Sequence, residues 1–406
     1  MVAASLPVGI DDVAAAAVVL EPAIRRTLLL HSRALSELIG GPVFLKCENL
    51  QRTGSFKVRG AYVRIAGLTP AERARGVVAA SAGNHAQGVA LAAAALGARA
   101  TVVMPLGAPL PKVAATRGYG ADVILHGLTV EAALIRAREL AAETGAVFIH
   151  PFEHPDVIAG QGTVGLEIAE QCPEARTIAV PVGGGGLAAG IAIAARARLP
   201  RAALIGVQAE AIAPVPGSLA AGFPVTVDAA ATMADGIAVA EPGALTMAIL
   251  ASLASQVVTV SEENLSRALL LCLERAKQLV EPAGAAGVAA LLEHPGLFEP
   301  PVVVVLSGGN IDPLLLAKVL RHGLAAAGRY LALRCRLPDR PGALASLLAQ
   351  LAELGANVIE VVHERDTAGL PVDQAEVMLQ VETRGPEHSA TVIRQLRASG
   401  LTPILG

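Results

Sequence analysis

The amino-acid sequence predicts an α/β protein of parallel sheets covered by helices, with a smaller βαββαβ domain at its C-terminal end. Three times along the chain a short strand is followed by a tight turn and then a helix, the order typical of parallel sheets. These strands are apolar throughout, as expected where both faces of a sheet are buried. The 406 residues exceed one ordinary core, so we expect two or three domains.

The first repeat has a strand at 76–80, a turn at 81–84 and a helix at 85–96, and another strand follows at 100–104. Short β-branched runs predict the strands, and alanine-rich runs predict the helices. The other two repeats lie at 177–182, 183–186 and a helix from Leu187, and at 302–306, 307–310 and a helix after Pro313.

The last 75 or so residues follow a different pattern. Apolar residues alternate with polar ones at 330–337, which predicts a half-exposed strand of an antiparallel sheet. The order β-α-β-β-α-β is the ferredoxin-like pattern, and we place its beginning near Gly328. The remaining predicted elements are a turn at 339–342, a helix from Leu344 to about Gly355, strands at 357–365 and 374–382, a turn near 367–369, a helix at 387–399 and a strand at 401–405.

Composition excludes several classes of protein. The hydrophobic content is 53% and the mean hydropathy +0.55, yet the apolar runs at 13–20 and 183–195 are shorter than the ~20 residues of a membrane-spanning helix. A net charge of −3 and 2% aromatic residues do not suit nucleic-acid binding. The four cysteines are far apart, and Asp11 and Asp12 stand where a signal peptide would carry lysines, so we expect a cytoplasmic protein.

Lys57 is the first candidate for chemistry, and it is one of only five lysines. Residues 53–55 (Thr-Gly-Ser) are turn and N-cap types, so a helix is predicted to begin there and run into Val58. A lysine in the first turn faces the positive end of the helix dipole, which favours its neutral, nucleophilic amine. A solvated helix lysine is the alternative.

The four glycines at 183–186 are a candidate phosphate site, since they join a buried strand to a helix. Their backbone N–H groups can converge beside the positive helix end. The pattern Gly183-x-Gly185-x-x-Ala188, with Glu210 some distance on, also fits a loose dinucleotide fingerprint. A tight turn without a ligand is the third interpretation.

Two further turns carry polar groups. Residues 81–85 (Ser-Ala-Gly-Asn-His) could bind a carboxylate through backbone N–H groups, and the Asn84 amide could donate to an anionic oxygen. Ser307 ends a very apolar strand, so its hydroxyl needs a partner, which could be a ring nitrogen or a backbone group. An ordinary turn is the alternative for each.

Taken together, these segments resemble the threonine dehydratases (threonine ammonia-lyases) of the two-lobed pyridoxal-phosphate (PLP) fold type II, the tryptophan-synthase-β-like fold. The resemblance runs from about residue 10 to 325, and the tail resembles an ACT domain. It implies a catalytic domain at 1–328, with a small lobe at about 50–148 inserted in the large lobe, and a regulatory domain at 329–406. The matching pieces are 46–49, 54–61, 81–88, 160–163, 183–187, 234–236 and 307–310.

The resemblance implies that Lys57 forms the Schiff base with pyridoxal 5′-phosphate. Asn84 would touch the ring hydroxyl oxygen, and Ser307 would bond the pyridine nitrogen. The other residues implied at the cofactor are Phe56, Gly183, Gly184, Gly185, Gly186, Leu187 and Gly308, and those implied at the substrate carboxylate are Ser81, Ala82, Gly83 and His85.

The implied reaction is loss of water and ammonia from L-threonine, giving 2-oxobutanoate, with L-serine giving pyruvate. Serine racemases resemble this chain but carry serine where Ala82 stands, so racemisation should be weak. Their metal site looks incomplete here, because Glu210 is present but residues 211–216 contain no carboxylate, so we predict no required metal.

The ACT-like tail implies effector control, and an oligomerisation module that has lost its effector response is the alternative. The turn at 339–342 and the following helix start resemble the effector-binding edge, which is commonly shared between subunits. Isoleucine or valine is the expected effector if the enzyme serves isoleucine synthesis, and a dimer or tetramer is the expected assembly. The implied effector residues are Asp339, Arg340, Gly342, Ala343 and Leu344.

Three other functions stay open at this stage. The first is another PLP enzyme on the same fold, such as a serine dehydratase or racemase or a hydroxyaspartate dehydratase. The second is an NAD-dependent oxidoreductase that uses the loop at Gly183. The third is a non-catalytic amino-acid sensor, against which the full set of Lys57, Asn84 and Ser307 argues.

Overall fold

A computed structural model describes residues 6–228, 230–366 and 369–405 of the chain. Within them the chain divides into two compact units, Met1–Leu316 and Ala317–Gly406. Residues 367 and 368 of the predicted turn near 367–369 lie outside the described residues. The predicted domain and lobe boundaries stay predictions.

The first unit contains ten described strands. In chain order they are β1 (Leu29–His31), β2 (Val43–Cys47), β3 (Val77–Ala80), β4 (Ala100–Met104), β5 (Asp122–Leu125), β6 (Val147–Phe148), β7 (Thr177–Pro181), β8 (Ala203–Ala209), β9 (Gln256–Val260) and β10 (Val302–Leu306).

Helices connect and cover these strands. They are α1 (Ile10–Leu20), α2 (Arg33–Ile39), α3 (Lys57–Ala66), α4 (Pro70–Arg75), α5 (Asn84–Ala95), α6 (Leu110–Gly118), α7 (Val130–Thr144), α8 (Pro155–Gln171), α9 (Gly186–Arg198), α10 (Pro214–Ala221), α11 (Ala244–Leu253), α12 (Glu262–Leu271), α13 (Pro282–Glu293) and α14 (Pro313–Ala326), the last of which spans the division between the units.

Two sheets form in the first unit. The larger has the order β1-β2-β10-β7-β8-β9 and is parallel apart from β1, and the smaller has the parallel order β5-β4-β3-β6. All residues of β3, β7 and β10 are buried, as their apolar sequences predicted. The strands of the smaller sheet fall between β2 and β7 along the chain, which is the order that an inserted lobe requires. The predicted α/β class is confirmed.

The second unit has the predicted βαββαβ order. Its elements are β11 (Tyr330–Pro338), α15 (Ala343–Glu353), β12 (Asn357–Glu364), β13 (Gln374–Glu382), α16 (Pro386–Ala398) and β14 (Ile404–Leu405). The sheet is antiparallel with the order β12-β13-β11-β14.

Burial in the second unit follows the alternation seen in the sequence. Leu333, Cys335 and Leu337 of β11 point into the core with Leu347 and Leu351 of α15, while the residues between them are exposed. This arrangement confirms the predicted ferredoxin-like domain. Among the described residues of both units, no helix has the length and apolar character needed to cross a membrane.

Candidate active site

Lys57 is the first residue of α3, where the chain passes close to the end of β10. The predicted helix start at 53–55 is wrong by about two residues, because those residues form a separate turn that pairs with the residues directly after β10. Ser55 bridges to Gly308, and the Phe56 N–H donates to the Ser307 carbonyl at 3.2 Å. These bonds hold the backbone before Lys57 at the edge of the larger sheet where its parallel strands end.

The Lys57 amine lies deep in the molecule with few partners. Its Nζ donates to the Pro151 carbonyl at 3.0 Å and lies 5.2 Å from the centre of the Phe56 ring. Burial lowers the pKa of Lys57 to about 8, and the Glu281 carboxylate partly opposes that shift. Burial is therefore the main cause of the lowered pKa of Lys57, and it makes the neutral amine easier to reach than in an exposed lysine.

A cavity of about 360 Å³ surrounds this amine and gathers the three turns predicted from the sequence. The turns stand at the ends of β3, β7 and β10, which brings segments more than 200 residues apart to one place. Gly308 is not among the lining residues. The predicted residues that line the cavity are Phe56, Lys57, Ser81, Ala82, Gly83, Asn84, His85, Gly183, Gly184, Gly185, Gly186, Leu187 and Ser307.

The glycine loop between β7 and α9 suits an anion. Gly185 has a φ of +94°, which disfavours side chains, and a Cβ at Gly184 would lie 2.3 Å from the Phe152 ring. The loop leaves its backbone N–H groups bare beside the N-terminus of a 13-residue helix. Such a cradle fits the phosphate of the implied cofactor.

Asn84 is held in one orientation by two side chains. Its Nδ2 donates to the Glu281 carboxylate at 2.5 Å, and its Oδ1 accepts from Asn310 Nδ2 at 2.8 Å. The second N–H of the Asn84 amide remains available to an anionic oxygen in the cavity. Gly308 contributes by leaving space, since a Cβ there would lie 2.4 Å from Glu281 Oε1 and 3.0 Å from Asn84 Nδ2.

Glu281 was not predicted as a site residue from the sequence. It is buried, and burial raises its pKa to about 7, with the Asp235 carboxylate adding to the rise. A glutamate immediately before the wholly apolar start of α13 is the one local sign that such a residue needs a partner.

His85 is neutral in this environment. Its Nε2 donates to the Ile149 carbonyl at 2.8 Å, and burial, aided by the nearby Lys57, lowers its pKa to about 3. A neutral imidazole supplies no positive charge to a substrate carboxylate. The backbone of the turn and any other nearby cation must supply that attraction.

Ser307 faces the cavity with its hydroxyl free. The residue is 4% exposed, and its hydroxyl makes no hydrogen bond to another described residue. A hydroxyl that opens onto the cavity is available to a ligand group. With the glycine cradle and the Lys57 amine, it makes a set of groups that fits a phosphorylated pyridine aldehyde.

Lys112 and Asp235, which the sequence analysis did not assign to the site, also line the cavity. Their charged atoms lie 3.0 Å apart. No group of three or more histidine, cysteine, aspartate or glutamate residues that could hold a metal is found among the described residues. The predicted independence from metals stays a prediction.

The second unit has a cavity of its own, of about 340 Å³. It is lined by all five residues predicted for an effector, Asp339, Arg340, Gly342, Ala343 and Leu344. Arg365 Nε lies 3.0 Å from Asp339 Oδ1, and His363 completes the polar wall. Gly342, with a φ of +89°, precedes the 11-residue helix α15, in which the Ala343 N–H donates to the Arg340 carbonyl at 3.3 Å and the N–H groups of Leu344 and Ala345 have no backbone acceptor among the described residues.

The chain matches two family models. The first is described as "Pyridoxal-phosphate dependent enzyme" and covers residues 20–308, and the second is described as "ACT domain" and covers residues 332–400.

Curated relatives match over most of their length. An L-threonine ammonia-lyase of Thermotoga maritima is 47% identical over 391 residues, which are 96% of this chain and 98% of the relative. The L-threonine dehydratase catabolic TdcB of Escherichia coli K12 is 45% identical over 310 residues, which are 76% of this chain and 94% of the relative.

Solved structures match about three quarters of the chain. A threonine deaminase of T.th. has a TM-score of 0.71 and 43% identity, over 75% of this chain and 99% of that one. A maize serine racemase has a TM-score of 0.73 and 35% identity, over 78% of this chain and 98% of that one.

Proposed function

We propose that this chain, which belongs to the pyridoxal-phosphate dependent enzyme family and carries a C-terminal ACT domain, is an L-threonine ammonia-lyase. The reaction converts L-threonine to 2-oxobutanoate and ammonia, and L-serine to pyruvate and ammonia. The observation that carries this proposal is a buried lysine amine of lowered pKa, which shares one cavity with a bare glycine cradle. Relatives of the same length that bear this name support it.

Several side chains hold the cofactor in this proposal. The loop from Gly183 to Leu187 would take the phosphate through its N–H groups, and Ser307 would bond the ring nitrogen. Asn84 would bond the ring hydroxyl oxygen. When bound, pyridoxal 5′-phosphate supplies an electron-withdrawing ring to the α-carbon of the amino acid.

Lys57 is the base. With cofactor and substrate bound, the neutral form of its Nζ would take the proton from the substrate α-carbon. The C–O bond at the β-carbon breaks with its electron pair on the departing hydroxide, which takes up a proton to become water. The unsaturated amine that is released hydrolyses to 2-oxobutanoate and ammonia. The Pro151 carbonyl, 3.0 Å from Nζ, orients the amine between these steps.

Ala82 favours elimination over racemisation. Racemisation needs a proton donor on the face opposite Lys57, and the methyl group of Ala82 cannot donate one. The neutral His85, whose Nε2 proton is given to the Ile149 carbonyl, does not replace that donor easily. This observation ranks racemisation below elimination.

The test measures 2-oxobutanoate and pyruvate formed by the cofactor-loaded protein from the L- and D-isomers of threonine and serine. We expect kcat/KM to be highest for L-threonine, lower for L-serine and very low for both D-isomers. Faster turnover of another amino acid, or NAD binding by a colourless protein, would overturn the assignment.

The ACT domain gives the enzyme effector control in this proposal. The N–H groups of Leu344 and Ala345 would bind the carboxylate of an amino acid, and Asp339 its ammonium. We expect isoleucine or valine to change the KM for L-threonine, whereas AMP should not. Asp339→Ala should remove that response and leave basal activity intact, and an unchanged response would reject this site.

In this proposal the enzyme works in the cytoplasm as a homo-oligomer, a dimer or tetramer. All four cysteines are free and buried, as suits a reducing compartment. In the ACT sheet, β12 is an edge strand that exposes Ile359 and Val361, which suits pairing with another chain. Sedimentation of the purified protein tests the assembly.

A further inference from the structure

Lys112 and Asp235 face each other across the mouth of the active-site cavity. Lys112 belongs to α6, which follows β4 of the smaller sheet, whereas Asp235 begins a short 3-10 turn in the segment between α10 and α11. Lys112 Nζ lies 3.0 Å from Asp235 Oδ2. The two side chains differ in burial, since that of Lys112 is 9% exposed and that of Asp235 is 55% exposed.

The Lys112 ammonium stands over the turn that begins α5. A Cβ built on Gly83 would lie 3.7 Å from Lys112 Nζ. The N–H of Gly83 is already given to the Ser81 hydroxyl at 3.1 Å, but the next N–H groups belong to the first turn of a 12-residue helix and point outward. A cation and several N–H groups therefore converge on one point of the cavity wall.

The charge balance of the cavity makes this lysine distinctive. Apart from Lys57, it is the one lysine or arginine among the described lining residues, and the lining carboxylates are Glu131, Asp235 and Glu281. Glu281 is occupied by Asn84, and His85 is neutral. Lys112 is thus the cation available to an anionic group of a substrate bound at Lys57.

We infer that Lys112 binds the carboxylate of the amino-acid substrate and that Asp235 is the partner that the substrate displaces. The exchange is favourable because Asp235 is half exposed and regains water when it is released. The incoming carboxylate gains a nearly buried ammonium together with the N–H groups of α5. This inference rests on the proposed function, since it assumes an amino-acid substrate.

The alternative is a purely structural role, here called a clasp, in which the Lys112–Asp235 ion pair only holds two parts of the cavity wall together. The two roles make opposite predictions for matched variants of the full-length, cofactor-loaded enzyme. If Lys112 binds the carboxylate, Lys112→Gln should raise the KM for L-threonine about 10- to 100-fold with a much smaller change in kcat. Asp235→Asn should leave that KM unchanged or lower it, because it removes the competitor.

A clasp would instead make both variants raise KM or lose stability together, and that result would overturn the inference. Lys112→Arg keeps the charge and should recover part of the loss. Circular dichroism and the unfolding midpoint of each variant check that the fold is intact, and Lys112→Met provides a second uncharged variant.

A binding experiment separates this inference from the proposed reaction. L-alanine, which has no group to eliminate, is compared with L-alaninamide, which lacks the carboxylate, by the change that each causes in the visible spectrum. Wild type and Asp235→Asn should prefer L-alanine, and Lys112→Gln should lose most of that preference. A preference that survives in Lys112→Gln would reject the role of Lys112.

The two possible failures are distinguishable. If L-threonine gives no 2-oxobutanoate but the preference for L-alanine still depends on Lys112, the proposed reaction is wrong and the carboxylate site stands. If 2-oxobutanoate forms at wild-type KM in Lys112→Gln, the reaction stands and the carboxylate site is wrong.

Discussion

Lys57 and Arg59 are two residues apart on the same helix, and their surroundings differ completely, since Arg59 is fully buried and Lys57 is half-buried beside a cavity. Arg59 Nε and Nη2 each donate to Glu48 at 2.8 Å, and Nη1 donates to Glu167 at 2.7 Å and to Thr163 at 3.0 Å. Lys57 has one hydrogen bond, to a backbone carbonyl, and otherwise faces a cavity. The comparison shows that the number of partners, rather than burial alone, decides which buried cation is free for chemistry.

Lys46 allows the same comparison with Lys57 between two residues of one type. Its Nζ donates to the Thr27 carbonyl at 3.0 Å, to Glu167 at 2.5 Å and to Gln171 at 2.8 Å. Burial lowers the pKa of Lys46, as it does that of Lys57, but two carboxylates oppose the shift at Lys46. We call Lys46, Glu48, Arg59 and Glu167 the ion-pair cluster.

The ion-pair cluster joins four parts of the first unit. Lys46 lies on β2, Glu48 in the turn after it, Arg59 on α3 and Glu167 on α8. Each contact of Arg59 therefore fixes the first turn of α3 against the larger sheet and α8. That turn also carries Lys57. The ion-pair cluster, whose charged groups all have partners, therefore positions the Lys57 amine, which has only one hydrogen bond.

The largest effect that tests the comparison is loss of the Lys57 amine. Lys57→Ala should lower kcat/KM for L-threonine by about 10⁴-fold or more, because it removes both the covalent attachment and the base. The variant should also lose the cofactor's visible absorbance band above about 400 nm, while in the cofactor-free state its unfolding midpoint stays at or above that of cofactor-free wild type. The exposed Lys318→Ala is the control and should keep both activity and absorbance.

A Lys57→Ala variant that retained the band would place the covalent link elsewhere. Borohydride reduction followed by peptide mass spectrometry would then identify the modified lysine, for which Lys46 and Lys112 are the other buried candidates.

The second effect concerns stability. Arg59→Met should lower the free energy of unfolding by about 3–5 kcal/mol, because it leaves two carboxylates without their main buried partner. Arg136 is the matched control: it pairs with Glu139 and Glu143 on the surface of α7, and Arg136→Met should change the unfolding midpoint little. Urea denaturation of both variants is the measurement, and equal losses would show that burial does not distinguish the two arginines.

Much of the fold was predictable because its signals are local. The bounds of β4, β10 and β13 agree with the runs seen in the sequence, and the three strand-to-helix turns follow from glycine and polar residues after apolar strands. The start of α3 was predicted too early, because residues 53–55 form a turn that bonds to the chain after β10 and do not cap the helix. The last strand was predicted too long, and only Ile404–Leu405 pairs.

The site was predictable only in part, for a physical reason. Turn chemistry indicates where ligands can bind, but the partners of buried charges lie far away along the chain. Asn84 and Glu281 are 197 residues apart, and Lys112 and Asp235 are 123 apart. Nothing in a local pattern connects such pairs, so the roles of Glu281 and Lys112 appear only once the chain is folded.

The smallest effect compares two buried carboxylates. Burial acts to raise the pKa of Glu167, but Arg59 and Lys46 hold it below its usual value. Burial raises the pKa of Glu281 from 4.5 to about 7 with help from Asp235, and the weaker influences of Lys112, Asn84 and Lys57 do not cancel the rise. The charges of both Glu281 and Lys57, which line the cavity, are therefore only partly balanced by neighbouring groups of opposite charge or by hydrogen bonds.

The raised pKa of Glu281 fixes the direction in which this residue makes the stability of the fold change with pH. Between about pH 4.5 and 7 the folded chain keeps a proton on Glu281 that the unfolded chain has lost, so stability falls as the pH rises through this window. Glu281→Gln can still accept the Asn84 hydrogen bond but cannot ionise. In the cofactor-free protein, wild type should therefore lose up to about 3 kcal/mol relative to Glu281→Gln between these pH values, and nothing further above about pH 8. Unfolding midpoints of both proteins from about pH 4.5 to 8.5 measure this difference, and a constant gap would mean that Glu281 is compensated as fully as Glu167.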